Sequence, residues 1–331
     1  MMTIKPQSFA VFPFAGMALD PIHVGTGGTR LGRVDNTIVR DPVTRIPKIP
    51  GSSIAGVMRA YAAMAKGKYP ACAGLGQPER EGAGGHCGKA DCPVCTVFGF
   101  AKGIGASGGF AGLAAFSDMH VLLFPVASQV GPQWITCPMA LRQAGIAEFS
   151  EPSDLSEQQV VYRNADGKAT QHLNLGWLYL PVKTDWQPLS KIAQKIEALG
   201  IPDYIISRLG IVSDKLFTHI VNSNLEVRTS VAIDPATGAA EEGALFTYEA
   251  LPRGTVLFWE LTCRNPKHFK IAQDEVKAVA SPEAVSDVLT DAYPYLEHLG
   301  IGGMGSRGMG RLRVLAKKNS ADADKPGKEV S

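Results

Sequence analysis

No stretch of about 18 consecutive apolar residues occurs in this 331-residue chain, so a membrane-spanning helix is not expected. The N-terminus does not pair a basic start with an apolar run, which argues against export and for a cytoplasmic protein. Charge of either sign is not in excess: the net value is +2, so any anion-binding surface must be local. No glycine run ends in Gly-Lys-Ser/Thr, which excludes a P-loop, and none stands in the strand–turn–helix setting of a dinucleotide fingerprint. There is no His-Glu-x-x-His. His120, His172, His219, His268 and His298 follow no spacing, and no Ser-His-Asp or Cys-His arrangement is visible.

What the chain does have is apolar material and punctuation. At 45% hydrophobic residues it can build one large core or two modest ones, and its 36 glycines and 22 prolines predict many turns and long functional loops. A strand is predicted from Phe9 to Leu19, with Pro13 marking an edge or an irregularity. Further strands are predicted over Met119–Val126, Gly176–Val182 and Val256–Cys263. Ile54, Val57, Met58, Tyr61 and Met64 recur at helical spacing behind Ser52 and Ser53, either of which can cap the helix. Two more helices are expected, from Leu189 to Leu199 and after Ser281-Pro282. Strands and helices interleave with many insertions, which makes the class α+β. Between Leu225 and Leu251 a hairpin is predicted around the turn Asp234-Pro235-Ala236-Thr237-Gly238, either packed on the core or projecting to touch a partner. Residues 316–331 are polar and charged and read as a disordered tail.

Cations concentrate between His23 and Tyr61. Arg30, Arg33, Arg40, Arg45, Lys48 and Arg59 face only Asp35 and Asp41 there, among glycines that let a backbone come close. Such a run predicts a polyanion surface, with nucleic acid as the first candidate. The helix start at Ser52/Ser53 offers free amides to a phosphate. A second glycine run, Leu299 to Arg313, adds Gly303, Ser306, Arg307 and Arg311 as possible phosphate contacts, although a turn between core elements explains the glycines equally well. Asp35 has two readings. It is a solvated surface charge or, beside an RNA backbone, an acid that holds Mg²⁺ for phosphodiester cleavage. His23 is either a base near the same strand or a hydrogen-bonded structural residue.

Cys72, Cys87, Cys92 and Cys95 fall within one glycine-rich segment, with His86 beside them. The Cys87-x4-Cys92-x2-Cys95 spacing in an apparently cytosolic chain predicts tetrahedral Zn²⁺ in a structural role, the fourth ligand being Cys72 or His86.

These residues also carry a resemblance. His23-Val24-Gly25-Thr26-Gly27, Val34-Asp35-Asn36, Ile38-Val39-Arg40, Pro47 to Ser53 and Gly56-Val57-Met58-Arg59 resemble the opening of the RAMP superfamily of CRISPR proteins. Gly300 to Arg313 resembles that superfamily's glycine-rich loop. Leu123 to Ser128 with Trp134 to Pro138, and Glu242 to Glu249, are similar to the Cmr-type (type III-B) backbone subunit, while Cys92-Pro93-Val94-Cys95 and the surroundings of Asp35 also resemble the Csm type. The resemblance runs from about residue 8 to 314. It implies an RRM-like, ferredoxin-like palm spanning residues 1–315, with a catalytic and guide-binding loop at 20–50, a zinc-bearing finger at 66–110 and a thumb at 222–252 that includes Val227, Arg228 and Phe246. It also implies copies stacked along a CRISPR guide RNA with other type III subunits, and a loop aspartate, matched by Asp35, that cuts target RNA with Mg²⁺ or Mn²⁺. The alternatives it leaves are a non-catalytic RNA-coating subunit and a metal-independent nuclease using His23.

Overall fold

A computed structural model describes residues 8–27, 34–74, 86–101, 108–146, 158–163, 170–184 and 186–315. Strand β1 (Phe9–Ala18) opens the chain, and a long loop then leads to β2 (Lys48–Ile49) and helix α1 (Gly51–Ala65). Helix α2 (Pro93–Phe98) precedes three strands, β3 (Ala114–Phe116), β4 (Met119–Val126) and β5 (Gln133–Thr136). Next come α3 (Pro138–Gln143), β6 (Val161–Tyr162), β7 (His172–Leu175), β8 (Leu178–Pro181), α4 (Pro188–Glu197), α5 (Asp203–Ile206), β9 (Leu209–Ile211) and α6 (Asp214–Ser223). The last third holds β10 (Glu226–Ile233), β11 (Ala240–Ala250), β12 (Val256–Arg264), β13 (Lys270–Ile271), β14 (Asp274–Glu275), α7 (Pro282–Thr290), α8 (Tyr293–Leu299) and β15 (Leu312–Leu315).

Nine strands form one sheet in the order β15-β1-β12-β4-β5-β9-β6, with β2 on β4 and β3 on β12. Its pairs are antiparallel except β5 with β9. The period of two along β12 sends alternate side chains to opposite faces. Leu257, Trp259 and Leu261 meet Ile54 and Met58 of α1 and Leu289 of α7, whereas Val256 and Phe258 belong to a second core with Ile192 and Ile196 of α4. Helices therefore lie over both faces, and binding has to happen in loops and at sheet ends. Pro13 is tolerated because β15 pairs only Ala15 to Ala18, so the Pro13 end of β1 has no partner on that side among the described residues.

Two expectations need correction. Ser52 and Ser53 do not cap α1. Pro50 is the N-cap, and the Gly51 amide donates to Asp118 Oδ1 at 2.8 Å. Gly51 presses so close to β3 that a Cβ there would lie 2.5 Å from the Phe116 carbonyl oxygen, and this approach brings Asp118 to the helix start. The expected strand from Gly176 to Val182 is instead the return arm of the β7–β8 hairpin, since Gly176 (φ +62°) occupies its turn. Of the two readings of the hairpin, the projecting one fits: β10 and β11 form a two-stranded sheet of their own whose apolar row points outward, with Val227, Val231 and Ile233 exposed while Glu226, Arg228 and Ser230 on the other face are half-buried. It is a projecting ribbon. The predicted tail at 316–331 lies outside the described residues.

Candidate nucleic-acid interface and metal site

Asp35 sits at the base of this ribbon. Buried Val34 and Ile38 pin the segment on either side, and Asn36 forms a parallel bridge with Tyr248 of β11. The Asn36 amide donates to the Thr247 carbonyl at 3.0 Å, and the Glu249 amide donates back to the Asn36 carbonyl at 3.0 Å. Asp35 itself stays exposed. Its Oδ2 accepts from the Thr247 amide at 2.8 Å and from the Thr247 hydroxyl at 2.9 Å. The backbone donor first, and the hydroxyl second, hold this carboxyl below the ordinary carboxylate range. Among the described contacts Oδ1 takes no bond and is the oxygen left for a ligand.

Two residues further along β11 lies Glu249. Its backbone carbonyl accepts from His23 Nδ1 at 2.6 Å, which places a proton on that nitrogen. The ring meets Tyr248 edge-on at 5.9 Å, and a Cβ at Gly25 would lie 3.0 Å from His23 Nε2. His23 is only 7% exposed. Its carbonyl accepts from the Gly303 amide at 2.8 Å, and a Cβ at Gly302 would lie 2.3 Å from that same oxygen. The glycines here let the chain approach itself, and His23 is the post it packs against rather than an open base.

The second site is made of sulfur. Cys72 follows α1, Cys87 lies in the next described segment, Cys92 caps α2 and Cys95 is in its first turn. The four sulfurs lie within 4.8 Å of one another, with Cys87–Cys95 at 3.6 Å and Cys92–Cys72 at 3.9 Å. Tetrahedral Zn–S bonds of about 2.3 Å require sulfurs about 3.8 Å apart, so the donor set fits. Burial pushes the Cys87 thiol up to about 11, and a hydrogen bond from Cys95 brings Cys92 down to about 5. His86 lies outside that set of donors, and its Nδ1 accepts from Arg59 at 2.8 Å. The cluster can hold a metal ion through four cysteines.

A family profile described as the RAMP superfamily matches residues 17–313. The chain belongs to the RAMP superfamily. Among its relatives, the CRISPR system Cmr endoribonuclease Cmr4 of Pyrococcus furiosus is 27% identical over 314 residues, covering 91% of this chain and 93% of that one. The CRISPR system Cms endoribonuclease Csm3 of Methanothermobacter thermautotrophicus is 38% identical over 90 residues, 27% of this chain and 32% of its own length. Among solved structures, a chain of the type III-B Cmr-beta complex bound to cognate target RNA superposes with a TM-score of 0.62 at 17% identity, covering 94% of this chain and 98% of that chain. A crystal structure of Cmr4 gives 0.58 at 19% identity, covering 93% of this chain and 100% of its own. These similarities bear out the α+β class and the RAMP palm.

In this RAMP chain many of the cations singled out by the sequence are already partnered. Arg59 is turned inward. It donates to the carbonyls of Cys72 at 2.8 Å and Gly99 at 2.7 Å, and so cannot be a phosphate contact. Arg40 bonds both oxygens of Glu249 (3.1 and 2.9 Å) and Asn222 (3.0 Å). Lys48 sits 2.6 Å from Asp118, whose hydrogen bond raises its pKa. Arg311 is clamped by Asp20, and Arg228 by Glu226 at 2.6 Å. At the start of α1 the protein's own Asp118 takes the Gly51 amide and the Ser53 amide bonds the Pro50 carbonyl, while Ser52 is exposed. Gly303 uses its amide internally. Arg30 and Arg33 lie outside the described residues. Exposed Arg307 does lie against the β10–β11 hairpin, where its guanidinium bonds Ser230 at 2.9 Å and lies 5.8 Å from the Phe246 ring centroid, and Ser306 beside it is exposed. Asp118 and Thr247, which sequence reasoning missed, carried no local signal.

Proposed function

We propose that this RAMP chain is a guide-RNA-binding backbone subunit of a type III CRISPR effector complex, and that Asp35 acts in cutting complementary target RNA at regular intervals. The observation that carries this reading is an exposed carboxylate kept ionised at the root of a projecting hairpin, in a chain whose relatives are named as Cmr and Csm endoribonucleases. Further copies of the chain and other type III subunits complete the assembly. Residues 20–50 form the guide-binding loop, 66–110 the finger and 222–252 the thumb of a single RRM-like unit. The six free cysteines are in keeping with a reducing cytoplasm, and among the described residues no helix is long and apolar enough to cross a membrane.

In the reaction the ribose 2′-hydroxyl gives its proton to solvent and its oxygen bonds the adjacent phosphorus, while the bond to the 5′-oxygen breaks and that oxygen takes a proton from solvent, leaving a 2′,3′-cyclic phosphate and a 5′-hydroxyl. Asp35 would hold a Mg²⁺ or Mn²⁺ ion, which would supply positive charge to the oxygens that become negative. Thr247 aims Asp35 through its amide and hydroxyl, both donated to Oδ2. The apolar row of the thumb inserts between bases and splays the nucleotide next to Asp35, and Arg307 faces the backbone. Zn²⁺, held by Cys72, Cys87, Cys92 and Cys95, stabilises the finger without taking part in the chemistry.

The two alternative readings have less support. A coating subunit in which Asp35 only neutralises an arginine is not favoured, since Thr247 is its partner. A His23 nuclease needs an open imidazole, and His23 is packed. The test is Asp35→Ala in the assembled complex. Target cleavage falls on the order of a hundredfold or more while guide RNA stays bound; cleavage at the wild-type rate overturns the assignment.

A further inference from the structure

One edge of the large sheet is only half covered. β15 pairs Leu312 with Ala18 and Leu315 with Ala15, so it stops beside the middle of β1. From Phe14 back to Phe9, β1 has β12 on one side and, among the described residues, no strand on the other. The Ala18 amide donates to the Thr255 carbonyl on the β12 side at 2.9 Å, and the Leu19 amide donates to the Arg311 carbonyl on the β15 side at 2.9 Å. Backbone groups alternate between the two sides of a strand, and the β1–β12 register runs from Met17 to Phe9 without a shift. The amides of Val11 and Phe9 therefore aim at the uncovered edge. Pro13, which has no amide to leave unpaired, holds the position between Val11 and the paired Ala15 on that side.

A groove of about 520 Å³ opens along this edge, and Leu315, the last described residue, lines it. Phe12, Phe14 and Tyr293 line it too, the last two meeting edge-on at 6.1 Å. So do Glu283 and Asp287, which are exposed and stand four residues apart on α7. Like charges at that spacing repel, and no described cation forms an ion pair with either acid. The groove thus combines unpaired backbone groups, aromatic surface and uncompensated negative charge. An extended segment with a cation on a long apolar stem matches all three.

We infer that residues 316–321 dock in this groove as a continuation of β15, with Lys318 as the cation that Glu283 and Asp287 receive. Ala316, Lys317 and Lys318 follow directly on Leu315. Carried forward, the β1–β15 register sets Ala316 opposite Phe14, Lys317 opposite Pro13 and Lys318 opposite Phe12. Side chains alternate along a strand: Val314 packs against the core that includes Leu289 of α7, and Leu315 belongs to the core of α4. Ala316 and Lys318 then fall on the α7 side. The small Ala316 fits over Phe14, and Lys318 lays its stem along Phe12 while its ammonium reaches the two carboxylates. This segment outcompetes a foreign strand because it is tethered at the mouth of the groove, so its docking is intramolecular. Once docked it shields the edge from strands of other chains, and the expectation of disorder applies only to 322–331.

The test is residue-resolved amide exchange by NMR on the full-length chain, with no RNA present. In the wild type the Val11 amide is protected. Ending the chain after Leu315 speeds its exchange about tenfold or more. Lys317→Pro does the same, because it removes the amide that bonds the Pro13 carbonyl. Lys318→Glu also speeds exchange at Val11, and adding Asp287→Lys to that variant restores part of the protection. Amides of β4 and β12 stay protected throughout, which shows that the palm remains folded. A Val11 amide that exchanges equally fast in the wild type and in the shortened chain overturns the docking. Protection of Val11 that grows with chain concentration assigns the groove to a second copy and also overturns it. Neither result touches the RNA-cleaving function proposed above.

Discussion

Thr247 controls Asp35 through one oxygen, and the two donors are separable by mutation. Thr247→Val keeps the amide, the larger influence, and removes the hydroxyl. The sign follows from linkage. Because the folded-state pKa lies below the ordinary 3.8, ionised Asp35 favours the folded state above that value, and this contribution disappears as pH falls through the lowered one. Nothing changes near neutrality. In Thr247→Val the Asp35 midpoint moves part of the way back toward 3.8, which a carboxyl NMR titration of the metal-free protein reads directly. Arg59 yields a second prediction. Arg59→Ala leaves the buried carbonyls of Cys72 and Gly99 without their donor, at about 1–3 kcal/mol each, and urea unfolding measures the loss. Arg59→Lys does not restore it, because an ammonium lacks the planar fork that reaches both oxygens. Asp35 was legible in the sequence because its oddity is local, one acid in a basic loop. The intramolecular partners of Arg59, Lys48 and Arg40 could not be read from the sequence because they lie up to about 200 positions away, at His86, Gly99, Asp118 and Glu249.

At the scale of the element, the β10–β11 hairpin inverts the usual strand logic. Its period of two was readable, and it predicted a hairpin correctly, but periodicity does not say which face meets water. Here the apolar face does, with Ile233 at 54% and Leu245 at 65% exposed. A lone two-stranded ribbon is marginal in water, so this one depends on its root, where Tyr248, Ala250 and Met309 are buried with Phe246 and Met304 against them. Tyr248→Ala is expected to cost about 3 kcal/mol, to loosen the Asn36–Tyr248 bridge and to lower target cleavage with it. Ile233→Thr at the exposed end changes stability by no more than about 0.5 kcal/mol but weakens binding to the guide–target duplex. Urea midpoints and duplex affinity, measured on both variants, separate a root that holds from a tip that inserts. The β7–β8 hairpin shows the opposite failure of reading. Gly176 looked like the start of a strand because its role, to clear Asn224, depends on a residue nearly 50 positions later.

For the molecule as a whole, the question is what the finger depends on. The palm has cores on both faces of its sheet, and β1 pairs with β12 across about 250 positions, an order that no local pattern could reveal. Among the described residues of 66–110 the core is a small cluster, in which Cys72, Cys92, Cys95 and Val94 pack with Ala63 of α1, Phe100 and Ile271. Four thiolates without a cation would repel one another in that space, and protonated they leave sulfurs too close for anything but weak hydrogen bonds. Metal binding therefore substitutes for the apolar area that this segment lacks, at about 10–16 kcal/mol of apparent free energy in small zinc modules. Elemental analysis should find about one Zn per chain, and Cys92→Ser/Cys95→Ser should remove it. The loss is predicted to be regional. Amide exchange should rise sharply in residues 86–100 and at Arg59, where α1 is tied to the finger by the Cys72 and Gly99 carbonyls, while β1, β4 and β12 keep their protection. A metal-free wild-type chain with an unchanged exchange pattern in 86–100 would show that the four sulfurs pack as an ordinary core.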